Sequence, residues 1–133
     1  MDTLSPRERS HRMSLIRDRD TGPELLVRRL IHGMGYRYRK HDRRLPGKPD
    51  LVFAGRHKVI FVHGCFWHRH NCPLGRMPKS RLEFWSEKLE GNRRRDGRNL
   101  RQLRAAGWTP LVVWECQTAS LPRLSKRIQA FLA

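Results

Sequence analysis

The sequence predicts a mixed α/β sandwich, with one small sheet and helices packed against it. Three observations predict it. Apolar residues recur at helical spacing in two separate stretches, Leu26 to Met34 and Leu121 to Phe131. Between them, short apolar runs bounded by Gly and Pro turns read as strands. The resulting order is helix, three strands, helices, strand, helix. With 133 residues and no internal repeat, the chain is read as one domain, 1–133.

Residues 1–20 alternate charges without a core pattern. They read as a basic N-terminal arm that orders on its partner, with Ser5-Pro6-Arg7-Glu8 as a short helix start. Thr21-Gly22-Pro23-Glu24 is a capping-box pattern that opens a helix over 22–33. Gly33 and Gly35 stop it. Read this way, Glu24 is a cap. Tyr36 to Arg39 alternates and reads as a strand, and Pro46-Gly47-Lys48-Pro49 as a turn. Asp50 to Ala54 is a second strand. Lys58 to Val62 is a third, nearly all apolar and therefore central. Ser80-Arg81-Leu82-Glu83 is a second capping box, opening a helix through Glu90. A further, strongly basic helix follows from Asn92 to Ala106, with Leu100 and Leu103 facing inward and Gly107 as its stop. Thr109 to Trp114 is the last strand and delivers Cys116. Ser120 begins the terminal helix, whose core stripe is Leu121, Leu124, Ile128 and Phe131.

Charge narrows the function. There are 29 Lys and Arg against 12 Asp and Glu, a net of +17, with Arg28-Arg29, Arg43-Arg44 and Arg93-Arg94-Arg95 as runs. A field of this size captures polyanions, and guanidinium forks fit phosphate oxygens. No run approaches the roughly 20 apolar residues of a membrane-spanning helix. The odd cysteine count and polar N-terminus argue against a disulfide-bonded secreted protein. The expectation is a soluble cytoplasmic protein.

The chemistry concentrates in His63-Gly64-Cys65-Phe66-Trp67-His68-Arg69-His70-Asn71-Cys72, where the central strand ends. Cys65, His70, Cys72 and the distant Cys116 are three soft thiolates and one imidazole, a set suited to tetrahedral zinc. His63 and His68 are left over, and histidines titrating near neutrality serve as acid-base groups. Phe66-Trp67 between them is an aromatic pair able to wedge into stacked bases. Asp50 starts the strand beside His63, and a carboxylate there is a hard ligand for Mg²⁺.

These residues carry a resemblance. Leu45-Pro46-Gly47-Lys48-Pro49-Asp50 and Ile60 to His68 resemble the very-short-patch repair (Vsr) mismatch endonucleases. So do Glu83-Phe84-Trp85-x-x-Lys88, Asn92, Arg95-Asp96, Gly107-Trp108 and Val113-Trp114-Glu115-Cys116. The likeness runs in order from about Met13 to Cys116. It implies a restriction-endonuclease-like fold with a structural Zn²⁺ on Cys65, His70, Cys72 and Cys116. It implies Mg²⁺-dependent nicking of double-stranded DNA 5′ of the thymine in T:G mismatches left by 5-methylcytosine deamination. Asp50 matches the metal-binding aspartate, His63 and His68 the active-site histidines, and Glu24 and Asp96 the accessory acids. Phe66, Trp67 and Trp85 match the aromatics inserted beside the mismatch. The chain departs from the best-known members in having Val62 where they have Thr; a backbone carbonyl there serves Mg²⁺ equally well. It also departs in having Arg69 and Asn71 where histidines often stand. The expected state is a monomer working with other mismatch-repair proteins. Two readings from other classes are a non-catalytic zinc-containing nucleic-acid-binding module and a basic protein bound to ribosomal RNA. The first leaves Asp50, His63 and His68 without a purpose; the second needs no mismatch preference and no wedge aromatics.

Overall fold

The computed structural model describes residues 21–68, 70–73 and 81–133; the N-terminal arm, 1–20, and Arg69 lie outside the described residues. Helix α1, Gly22–Gly33, opens on Thr21, whose extended backbone turns Oγ1 toward the Glu24 N–H at 3.4 Å. Gly35 ends it at φ +87°, a conformation that costs glycine nothing. The Gly35 and Tyr36 N–H groups then close on the carbonyls of His32 and Ile31. That closure shortens the first strand. Tyr36 is spent on the helix end, so β1 is only Arg39–Lys40 rather than starting at Tyr36.

Strand β2, Leu51–Phe53, gives way at Ala54–Arg56 to a 3-10 turn, one residue earlier than the sequence reading. His57, at φ +54°, then leads into β3, Lys58–His63. Helix α2, Leu82–Ala105, is continuous where two helices were expected. Gly91 costs only about 1 kcal/mol inside a helix. Leu89 and Leu103, both fully buried, anchor the rod on either side of it. The expected cap Ser80 lies outside the described residues; Arg81, at φ +55° and with no side-chain cap, precedes the helix. Gly107, at φ +90°, turns the chain into β4, Thr109–Trp114. A 3-10 segment, Glu115–Ala119, leads to α3, Leu121–Leu132. Its buried stripe is Leu124, Ile128 and Leu132; Leu121, expected in the core, is exposed. Arg56 and Lys58 donate to the carbonyls of Leu132 and Phe131, satisfying acceptors at that helix end.

The sheet order is β1-β2-β3-β4. The first three strands are antiparallel neighbours, and β4 lies parallel to β3. A parallel neighbour needs a crossover, and α2 is that crossover. Helices α1 and α3 cover one face, where Val27, Ile31, Ile60, Val113, Leu124 and Ile128 meet. Helix α2 covers the other, where Leu103 meets Val52, Val59 and Phe61. Covered on both sides, β3 buries Val59, Ile60 and Phe61 in succession, as expected of a central strand. Strand directions bring the end of β1, the start of β2 and the ends of β3 and β4 to one edge. At that edge the turn before β2 packs tightly. Gly47 sits at φ +78°, and a Cβ there would come within 3.1 Å of Asn99 on α2 and of Phe61. No described helix is long and apolar enough to cross a membrane.

Candidate active site and metal centre

Asp50 immediately precedes β2, and its backbone carbonyl accepts from His41 N–H at 3.1 Å, continuing the β1–β2 ladder. Its Oδ2 accepts from Val62 N–H on β3 at 2.6 Å. One carboxylate is thereby tied to the ends of two neighbouring strands. Glu24, fully buried on α1, faces the same place. Its Oε2 pairs with Arg28 at 2.5 Å and its Oε1 with His41 Nε2 at 3.0 Å. The carboxylate is thus placed beside Asp50, where the family resemblance expects an accessory acid, rather than serving only as a cap. One oxygen or nitrogen from each of Glu24, His41 and Asp50 lies within 4.8 Å of the others. His41 was not singled out in the sequence, because an isolated histidine in a loop carries no spacing signal.

The second cluster lies across the same cavity. His63, 7% exposed at the end of β3, stacks face to face on His68 with ring centroids 3.8 Å apart. His68 Nδ1 is in hydrogen-bond contact with Asp96 Oδ2, from the middle of α2. Asp96 thus orients the imidazole and leaves its other nitrogen for chemistry. His63 Nδ1 is buried without a partner among the described residues. A buried nitrogen left without a partner is costly. Asp50, Val62, His63, His68, Asp96 and His41 all line one cavity of about 410 Å³. Val62 contributes its N–H to Asp50; its side chain is apolar, so only its carbonyl is left for a cation.

Electrostatics separate the two clusters. Burial, and then the neighbouring Glu24, push the Asp50 carboxyl up to about 8, against the opposing pull of Val62 N–H and Arg28. Without a cation, a proton therefore sits where two acids converge. Burial, and then His68, push His63 down to about 3, so it is neutral at pH 7.

The third cluster could hold a metal ion. Cys65, His70, Cys72 and Cys116 converge with ligand atoms within 4.8 Å of one another, and none of the cysteines forms a disulfide. His70 Nδ1 lies 3.6 Å from Cys65 Sγ and 3.5 Å from Cys116 Sγ. Tetrahedral Zn–S and Zn–N bonds of about 2.3 and 2.0 Å would set sulfur and nitrogen about 3.5 Å apart. The donor set fits zinc. Burial holds the Cys65 thiol up at about 12 and raises Cys116; a divalent cation reverses both shifts. The turn holding these ligands is closed by Cys65 N–H to Glu115 Oε1 and by Cys116 N–H to Cys65 Sγ. Trp114 stacks on His70 at 4.1 Å and meets His63 edge-on at 5.2 Å, so one indole joins the metal centre to the histidine pair.

Beyond the metal centre, Phe66, Trp67 and Trp85 form an aromatic cluster with centroids 5.1 to 5.9 Å apart. Asn92 on α2 donates to the Trp67 carbonyl at 3.1 Å and holds the loop. Phe84, exposed, extends the cluster, and Lys88 Nζ lies over Trp67, Trp85 and Phe84.

The family model for the DNA mismatch endonuclease Vsr matches residues 1–74. A type II nicking enzyme, V.XorIIP of Xanthomonas oryzae, is 50% identical over 98% of this chain and 96% of its own length. The chain belongs to the Vsr family of DNA mismatch endonucleases. V.NmeAIP, a type II nicking enzyme of Neisseria meningitidis, is 44% identical over 87% of this chain and 83% of its own. The DNA mismatch endonuclease Vsr of Escherichia coli is 44% identical over 88% of this chain and 75% of its own. The four-stranded mixed sheet between helices agrees with the restriction-endonuclease-like fold of the Vsr family.

The Asp50 proton has a measurable consequence. An unfolded aspartate titrates near 3.9, whereas the folded carboxyl titrates at about 8. Between those values the native state binds the extra proton, so the Asp50 contribution to stability falls as pH rises. In buffer without added magnesium, Asp50→Asn should gain stability over the wild type progressively from about pH 4 to about pH 8. Urea denaturation at pH 5 and pH 8 checks this; a difference that does not change with pH contradicts it.

Proposed function

We propose that this Vsr-family endonuclease nicks one strand of a DNA duplex 5′ of the thymine in a T:G mismatch, as in repair of deaminated 5-methylcytosine. The observation that carries the reading is the single cavity joining Asp50, His63 and the His68–Asp96 pair, next to an aromatic cluster. Asp50 and the Val62 carbonyl would hold Mg²⁺, with Glu24 close by. When bound there, Mg²⁺ would offset charge on the scissile phosphate and its leaving oxygen. His68, oriented by Asp96, is the general base for the attacking water. His63, kept neutral, would contact the phosphate from the same cavity. Cys65, His70, Cys72 and Cys116 would hold Zn²⁺ as a closed, structural site with no position for water. Phe66, Trp67 and Trp85 would insert beside the mismatch. A T:G wobble stacks less well than a matched pair, and inserted rings recover part of the few kcal/mol of unstacking. The surplus of arginines supplies backbone affinity. The enzyme is taken to act in the bacterial cytoplasm as a monomer, alongside other repair proteins.

Nicking of matched and T:G duplexes with Mg²⁺ tests the reading. Asp50→Ala should abolish nicking while keeping most DNA affinity, since affinity comes from arginine-phosphate contacts. Undiminished nicking removes Asp50 from the site. Trp67→Ala should cut nicking of T:G duplexes far more than nonspecific binding, with the melting transition unchanged. Intact T:G discrimination, or unfolding, would reject the wedge role.

Metal analysis should find about one zinc per chain. Cys116→Ser should lose it and melt at lower temperature, because the binding energy of a structural metal is folding energy. A metal-free wild-type protein of equal stability would sink the zinc assignment.

A further inference from the structure

We propose that His41 is a nitrogen ligand in the catalytic cation site, and that it gives this enzyme a preference for Mn²⁺ or a similar transition cation over Mg²⁺. The proposal rests on the reading of Asp50 as the metal-binding acid and extends it.

The placement carries the argument. His41 offers a ring nitrogen within 4.8 Å of carboxylate oxygens from both Glu24 and Asp50. Its position is prepared before any cation arrives. The backbone N–H of His41 donates to the Asp50 carbonyl, and its side chain meets Glu24 at 3.0 Å. The backbone there takes φ +50°, which turns the residue back over the site instead of continuing β1. The imidazole lines the same cavity as Asp50 and His63, whose buried Nδ1 has no partner among the described residues.

Charge and softness set the selectivity. Arg28 lies 2.5 Å from Glu24 and offsets one of the two carboxylates. What remains is a site of low net negative charge, completed by an imidazole nitrogen; that Nε2 also lies 3.3 Å from the Arg28 guanidinium, which a bound cation would have to displace. Mg²⁺ is hard, strongly hydrated and held chiefly by charged oxygens, so it gains little from an imidazole. Manganese and the later divalent ions bind nitrogen progressively better. His41 therefore strengthens transition cations selectively. The alternative is that His41 only orients Glu24, in which case its loss weakens every cation alike.

The test uses zinc-loaded protein without DNA. Mn²⁺ binding is followed by electron paramagnetic resonance and Mg²⁺ by competition, in wild type, His41→Gln, His63→Gln and Asp50→Ala. Pulsed spectra of bound Mn²⁺ should show coupling to a histidine ¹⁴N in wild type and in His63→Gln, and none in His41→Gln. His41→Gln should weaken Mn²⁺ about tenfold or more, with Mg²⁺ affected less than about threefold. Equal weakening of both cations, or ¹⁴N coupling that survives in His41→Gln, overturns the proposal. If His41→Gln does not fold, the wild-type spectrum decides, because absence of ¹⁴N coupling there is sufficient to reject it. Mn²⁺ binding that ignores Asp50→Ala defeats instead the reading of Asp50 as the metal-binding acid. A negative result confined to His41 leaves that reading standing.

Discussion

The bond from Val62 N–H to Asp50 Oδ2 is the constraint on which the site depends. It ties a carboxylate at the start of β2 to the end of β3, where the antiparallel ladder of those strands stops. A buried carboxyl is costly unless it is hydrogen-bonded or neutralised. Here it is satisfied in part by the sheet itself. The remaining demand is met by a proton when no cation is present, and would be met by a cation bound as proposed. Strand pairing and proton are thus linked at a single oxygen pair, where the proposed metal would also bind.

The two faces of the sheet divide the chemistry between them. Helix α1 brings Glu24 and Arg28 to the acidic side of the cavity. Helix α2, on the other face, brings Asp96 to His68 and Asn92 to the Trp67 carbonyl. Because α2 is one uninterrupted rod anchored by Leu89 and Leu103, the histidine pair and the aromatic loop are referenced to the same rigid body. Trp114 adds a link by packing against both His70 and His63. A structural metal at Cys65, His70, Cys72 and Cys116 would stiffen the loop that carries the aromatics. It would also fix the spacing between mismatch and scissile bond, which positioning catalysis requires.

Much was legible in the sequence because it depends on local pattern. Periodicity located both flanking amphipathic helices, and an unbroken apolar run marked β3 as central. The metal-centre residues were legible because cysteines and histidines are rare and clustered. The errors fell where local rules meet tertiary packing. Gly91 looked like a helix boundary, but burial on both sides of it carried the helix through. Tyr36 looked like a strand residue, but its N–H was already used by the end of α1. Leu121 matched the core stripe, yet it lies in the first turn of α3 and is exposed.

By itself, then, the sequence determined the strongly basic character, the mixed α/β class, the set of metal-site residues and the family. The family resemblance had grouped Asp50, His63, His68, Glu24 and Asp96; tertiary structure decided how they meet and added His41. Glu24, which local pattern alone reads as a cap, is buried beside Asp50 and His41. His41 entered because the β1–β2 ladder runs one hydrogen bond past the last paired residue. His68 gained its orienting acid from a residue 28 positions away, on the helix that makes the parallel crossover. Spacing along a chain reports only what one helix or strand can bring together. These groups come from two helices and from the ends of three strands, and only the sheet's strand order puts those ends at one edge.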